Sequence, residues 1–409
     1  YSEIVTADYT LVSAATAGVW GLPFDPGGEP WQIQDPPADL RKAGVLADSW
    51  VFQRHGSTRT NANRGRANAI ARAFLCVDFT DRDLDVDSNI NLADPDAVAD
   101  AVKKNPTCAA CHQTLDPLAS FFWGYKTTIV PLLFPYPHDH YAEGYFSTVL
   151  FVPRSDPRYF GSPGSSLADL GRMISIDPRF SLCAARRAYA YFHQIRLDDV
   201  PHEHAAELQA VLRAGDNYKD MIRALVLADA FARADGPLGR KRARPHQLAR
   251  LVEDLTGFRW RTDLSAFGAG VIDLMDDTLI GYHVLAGGID AIFVTEPAYS
   301  WNATTSLVLR ALARQAANDI VEDDFARPQD ERRLFTLVSA SDSHPDALRP
   351  QIALLHRRFF GTPVAEDDPA VGETLDLFLA AIKGAPGDVR RAWKITLTAL
   401  LQDVRIAFY

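Results

Sequence analysis

Cysteine is scarce in this chain: 4 residues in 409, at positions 76, 108, 111 and 183. Four cysteines cannot staple a fold of this size, which excludes a disulfide-dense scaffold. Positive charge is also in deficit. Lys+Arg number 42 against 52 Asp+Glu, a net charge of -10, which argues against a nucleic-acid binder, since those carry a basic footprint. No apolar stretch has the length of a bilayer crossing. The best candidate, Thr127 to Phe134, is short and contains Pro131, so no transmembrane segment is expected. Solenoid repeats and a G-x-S-x-G nucleophile turn are missing as well, and Gly287-Gly288 stands without the rest of a dinucleotide loop. The bulk composition is ordinary, with 47% hydrophobic and 23% charged residues. A sizeable core can therefore form, and the length suits two or three domains of roughly 100–200 residues each. The chain opens at Tyr1 without a charged-then-apolar leader. The expectation is that a signal peptide has been removed or that the chain is a piece of a longer one.

Helical patterning dominates. Asp94-Pro95 supplies a cap and a first-turn proline for a helix to about Lys104. Ser166 and Asp169 have the spacing of a capping box for a helix through Ile174. Asp177-Pro178 opens another helix, on which Leu182, Ala185, Tyr189 and Phe192 share one face. Further helices are expected near 203–214, 217–232, 246–256, 302–319, 347–360, 371–383 and 387–402. Strand-like segments are few, the best being Thr148–Val152 and Ala291–Val294. Residues 153–165 read as a long surface loop. Gly236-Pro-Leu-Gly239 followed by the basic run Arg240 to Arg244 reads as a solvated linker. The expected fold class is mainly α, with one helical module at 1–234, a second helical domain at 235–409 and few short strands.

Chemistry concentrates in Cys108-Ala-Ala-Cys111-His112, the attachment signature for c-type haem. Thiols one helical turn apart can each bond one of the two vinyl-derived carbons on an edge of the porphyrin, and the adjoining imidazole can reach the iron from the same side. A thioredoxin-like redox pair would need a βαβ setting, which the flanks do not show. A zinc site would need two more ligands, for which Cys76 and Cys183 are the candidates.

The surrounding residues carry a resemblance. Asn105-Pro-Thr-Cys108-Ala-Ala-Cys111-His112-Gln-Thr-Leu-Asp-Pro-Leu118 resembles the haem segment of planctomycete-type cytochrome c proteins, in which Cys-x-x-Cys-His is followed by Asp-Pro-Leu-Gly. Ala119 replaces the glycine, and Phe121 to Tyr125 occupy the place of an aromatic segment. His55 to Arg66, leading into Cys76, is similar to that family's approach to the haem, and Asp177 to Cys183 to its C-terminal module. The resemblance covers about residues 1–234. Arg244 to Gly257 and Trp393 to Tyr409 more weakly resemble the family's helical domain, which there precedes the haem module and here follows it. The resemblance implies a helical module holding one haem c (heme c).

The group opposite His112 on the iron is open to several candidates. Met173, one of 3 methionines, follows the motif at a common distance, although most methionines are core filler. His55 precedes the motif in a Gly-, Asn- and Arg-rich stretch. His138, His140 and His193 are further candidates, and an open position is another. Arg54, Arg59, Arg64 and Arg66 are candidate partners of haem propionates by charge. Haem c is attached outside the reducing cytoplasm, which predicts a periplasmic or extracellular location and a Cys76–Cys183 disulfide, with two separate buried thiols as the alternative. The alternating acids Asp81, Asp83, Asp85 and Asp87 lack the glycine and closing glutamate of a calcium loop. Asn302-Ala-Thr304 forms a glycosylation triplet, more simply a helix cap. The expected function is single-electron transfer with redox protein partners or within a larger complex. A haem enzyme with an open distal face and a mainly structural assembly subunit are the alternatives.

Overall fold

The structure is a computed structural model that describes residues 1–36, 42–48, 55–57, 61–81, 90–91, 93–125, 154–232, 241–290 and 294–408. Arg54, Arg59, His138, His140, Asp83, Asp85, Asp87, the segment Thr148–Val152, most of Ala291–Val294 and the linker Gly236–Arg240 fall outside the described residues. Contacts divide the chain into two compact units. One is Tyr1–Phe192 with Leu197–Phe231; the other is His193–Arg196 with Ala232–Tyr409. Among the described residues there are fifteen α-helices and three two-stranded antiparallel sheets, so the fold is mainly α. No described helix is long and apolar enough to cross a membrane.

In the first unit, α1 (Glu3–Thr6), β1 (Thr10–Val12) and α2 (Ala14–Trp20) lead to β2 (Gln32–Gln34), antiparallel to β1. α3 spans Arg64–Leu75, α4 Pro95–Lys104 and α5 Pro106–Ala119. The hairpin of β3 (Arg158–Tyr159) and β4 (Ser162–Pro163) precedes α6 (Leu167–Ile176), α7 (Pro178–His193), α8 (His202–Gly215), α9 (Tyr218–Leu227) and α10 (Asp229–Ala232). Local signals explain several of these boundaries. The Asp94 side chain accepts the N–H groups of Asp96 and Ala97 ahead of Pro95. Ser166 and Asp169 form the reciprocal capping box of α6. α1 lies against α6 because Gly171 has no side chain: a Cβ there would sit 2.0 Å from the Val5 carbonyl oxygen.

Two expectations are corrected in this unit. Residues 153–165 contain a minimal hairpin, with Phe160 (φ 46°) and Gly161 (φ 95°) turning the chain. Positive φ at both central positions matches the right-handed twist of the strands. The buried face of α7 is also broader than the 182/185/189/192 stripe. Leu182 and Phe192 are only half-buried, whereas Phe180, Cys183, Ala184, Ala188 and Ala190 are buried. The small alanines let neighbouring elements approach closely. Cys76 caps α3 at its C-terminal end, in the left-handed region at φ 52°.

The second unit contains α11 (Pro245–Thr256), the antiparallel pair β5 (Arg261–Asp263) and β6 (Val271–Asp273), α12 (Ala303–Ala326), α13 (Pro345–Phe360), α14 (Pro369–Gly384) and α15 (Val389–Leu401). α15 packs against α12 and α14, and α14 against α13. Trp393 is fully buried, 4.9 Å from Phe335 and 4.8 Å from Phe378 between ring centroids. Asn302 caps α12 by accepting the Thr305 N–H. The basic run at 240–244 is not a solvated linker where it is described. Arg242 is 5% exposed and donates to the carbonyls of Ala286, Ala298 and Ser300 and to Thr305 Oγ1. A planar guanidinium with five donors is the side chain best able to satisfy so many converging oxygens.

Candidate functional site

The site is built on α5. Asn105 ends α4 and begins α5 in a single residue. Its side-chain oxygen accepts the N–H groups of Thr107 and Cys108, at 3.0 and 3.4 Å, and Pro106 occupies the first turn. This cap places Cys108, Cys111 and His112 on consecutive turns of one helix. Both cysteines are free thiols; Cys108 is half-buried and Cys111 buried. The Cys111 thiol faces the Phe79 carbonyl oxygen at 3.8 Å.

His112 has a partner one turn further along. Its Nδ1 lies 2.9 Å from Asp116 Oδ1. Asp116 is in turn gripped by Arg64, the first residue of α3. Arg64 Nε donates to Oδ1 at 2.6 Å and the terminal nitrogen donates to Oδ2 at 2.8 Å. This paired geometry is the strong form of an arginine–carboxylate contact. Burial pushes the Asp116 carboxyl upward, but the hydrogen bonds and charges of Arg64 and His112 outweigh it and hold the group below the ordinary carboxylate value. Asp116 therefore accepts and Nδ1 carries the proton of this contact, so in the neutral form of the ring the lone pair falls on Nε2.

The start of α3 braces this helix at further points. The Asn63 amide donates to the Phe122 carbonyl at 3.2 Å. Arg66, fully buried, donates to the His55 and Tyr125 carbonyls and to Asn63 Oδ1. Arg66 is thus a buried internal brace, and the propionate role expected from its charge is not the role this geometry gives it. Phe121, Phe122 and Tyr125 belong to the apolar cluster that also contains Leu115 and Leu118 of α5, and Trp123 beside them is buried.

Cys76 and Cys183 form a disulfide, with Sγ atoms 2.08 Å apart and Cα atoms 5.3 Å apart, tying the end of α3 to α7. That pairing removes both as ligands for a zinc ion. Among the described residues, no three His, Cys, Asp or Glu side chains cluster as a metal-ion site. Met173 packs on the core of the first unit. Its Cε would lie 2.7 Å, and the Phe121 ring 2.8 Å, from a Cβ added at Gly164. Met173 also lines a surface cleft with Pro163, Asp169 and Ile176. These neighbours of Met173 include no residue of the motif. His55 meets the α3 start through its carbonyl, and the buried His193 belongs to the second unit. Asp94, twelfth counting from Asp83, uses its carboxylate to cap α4.

Residue-by-residue reading missed Asp116 and the role of Arg64. The His112–Asp116 pair has a local signal, since residues four apart on a helix meet. Arg64 lies 52 positions away, and nothing local marks it. Compared with family models, with curated proteins and with solved structures, the chain finds no match.

Proposed function

We propose that the chain is an exported mono-haem c-type cytochrome of the planctomycete type it resembles, passing single electrons as a subunit of a larger redox assembly. The observation that carries this reading is the α5 arrangement: two free thiols one turn apart, beside an imidazole whose Nδ1 is engaged by Asp116. The donor chemistry fits the group. Cys108 and Cys111 would anchor it through thioethers, and His112 would ligate through Nε2. Bound haem supplies reversible one-electron Fe(III)/Fe(II) cycling. Asp116 and Arg64 hold the imidazole in one tautomer and one orientation. Phe121, Phe122, Trp123 and Tyr125 form dry core along this segment. Met173 and His55 would be the alternative candidates for a second ligand to the iron. Thioether attachment and the Cys76–Cys183 bridge both suit a periplasmic or extracellular setting. The second unit serves as a docking domain, and nucleic acid is not among the partners.

Pyridine haemochrome spectroscopy of the purified protein tests this directly. The expected result is thioether-bound haem in a one-to-one ratio, lost when Cys108→Ser and Cys111→Ser are combined. Protein matured with a cytochrome c assembly system and still free of covalent haem would refute the reading. Met173→Ala with an unchanged spectrum and potential removes Met173 as a ligand. A second reading, a haem enzyme with an open distal face, is favoured by the carboxylate on Nδ1, because it raises ligand basicity. A ferric spectrum unchanged by cyanide and a ferrous one unchanged by carbon monoxide would rule it out.

A further inference from the structure

We infer that Asp116 and Arg64 form an opposed pair of positioning residues that sets the electron donation of His112, and through it the reduction potential of the site. The inference rests on the haem reading above and deepens it. Three contacts carry it: His112 Nδ1 to Asp116 Oδ1 at 2.9 Å, Arg64 Nε to the same oxygen at 2.6 Å, and the second Arg64 nitrogen to Oδ2 at 2.8 Å.

A carboxylate accepting the Nδ1 proton makes the imidazole a stronger donor at Nε2, which stabilises the oxidised metal. A guanidinium on the same carboxylate competes for its lone pairs and moderates that donation. His112 Nδ1 and Arg64 Nε both contact Oδ1, so part of the competition falls on the very atom that faces His112. The three side chains are about one-quarter exposed, so solvent weakens these charges less than on an open surface. Arg64 begins α3, and Ala62 and Asn63 just before it both adopt positive φ. Backbone held in a sparsely populated region is characteristic of a place where one side chain must be aimed. α3 is fixed at its other end by the Cys76–Cys183 bridge. The moderating arginine is therefore held by tertiary structure, on a helix other than the one that bears the ligand.

The test uses full-length holoprotein and two single variants, Asp116→Asn and Arg64→Gln. Each is checked for haem by pyridine haemochrome and for fold by circular dichroism. Asp116→Asn should raise the midpoint potential, and Arg64→Gln should lower it. A purely structural role would move both in the same direction. Simple field effects of the lost charges are separated by a second readout, the Nδ1–H proton resonance of His112 in the ferrous protein. It should shift upfield in Asp116→Asn and downfield in Arg64→Gln, and stay in place in the exposed control Asp100→Asn. Haem-loaded variants with an unmoved potential, or a potential shift without a change in that resonance, would overturn the inference alone. Wild-type protein without thioether haem would overturn the haem reading and the inference together. If Asp116→Asn does not accumulate, Arg64→Gln decides by itself, because a rise or no change in potential contradicts the pairing.

Discussion

The two units are held together by different means. The second relies on one continuous apolar cluster that runs from Leu248 to Ala407 and centres on Trp393, Phe335 and Phe378. Its buried polar groups serve connections. Asp324, for example, accepts the N–H groups of Arg333, Leu334 and Phe335 and so closes the loop after α12. Among the described residues, the first unit has a smaller apolar cluster and adds cross-links: a disulfide, a buried arginine and the Arg64–Asp116–His112 ladder. Of the described non-glycine residues with positive φ, Ala62, Asn63, Cys76, Phe160 and Asp216 lie in the first unit and Gln194 in the second. Apolar packing is tolerant and non-directional, and it stabilises a scaffold well. Aiming an imidazole requires directional contacts and some strained backbone, and these occur beside the α5 motif.

This contrast can be broken from either side. The largest effect is expected from Cys183→Ser, since a bridge closing about 107 residues contributes about 4–5 kcal/mol on the chain-entropy account. Hydrogen exchange should quicken in Arg64–Leu75 and Pro178–His193 and leave Ala303–Ala326 unchanged. Uniform quickening across both units would deny that they are stabilised separately. Trp393→Ala is the mirror experiment. Truncating a fully buried tryptophan costs about 3–5 kcal/mol, and here exchange should quicken in α12 to α15 while the α5 amides keep their protection. The smallest effect concerns acid. Side-chain and backbone hydrogen bonds from Ser165, then those of Ser166 and the charge of Arg172, depress Asp169 to about 2 from 3.8. A depressed carboxyl contributes stability above its unfolded value and loses it as pH falls through its folded value. The Ser165 and Ser166 amide signals should therefore hold steady down to pH 3.8 and move as the pH approaches 2. Movement complete above pH 4 would contradict the capping role.

Most of the helical architecture was legible in the sequence because its signals are local. Asp94 ahead of Pro95, Ser166 with Asp169, and Asn302 ahead of a long apolar pattern each act within one helical turn, and each caps the helix it announces. Errors arose where the deciding contact was distant. Arg242 lay in a stretch that read as linker, yet oxygens 44 to 63 positions away converge on its guanidinium. The 158–163 hairpin was hidden because Phe160, a bulky residue, takes a positive φ usually left to glycine or asparagine.

Sequence alone determined where many of the helices begin, that the molecule is mainly α, and which five residues bring two thiols and an imidazole onto adjoining turns. Those outcomes follow from capping, periodicity and spacing over a few residues. Only the tertiary structure decided that Cys76 meets Cys183 across 107 positions and that Arg64 reaches Asp116 across 52. Such meetings depend on how α3 is laid against α5 and α7 by burial of the faces between them, and no local rule of the chain encodes that path.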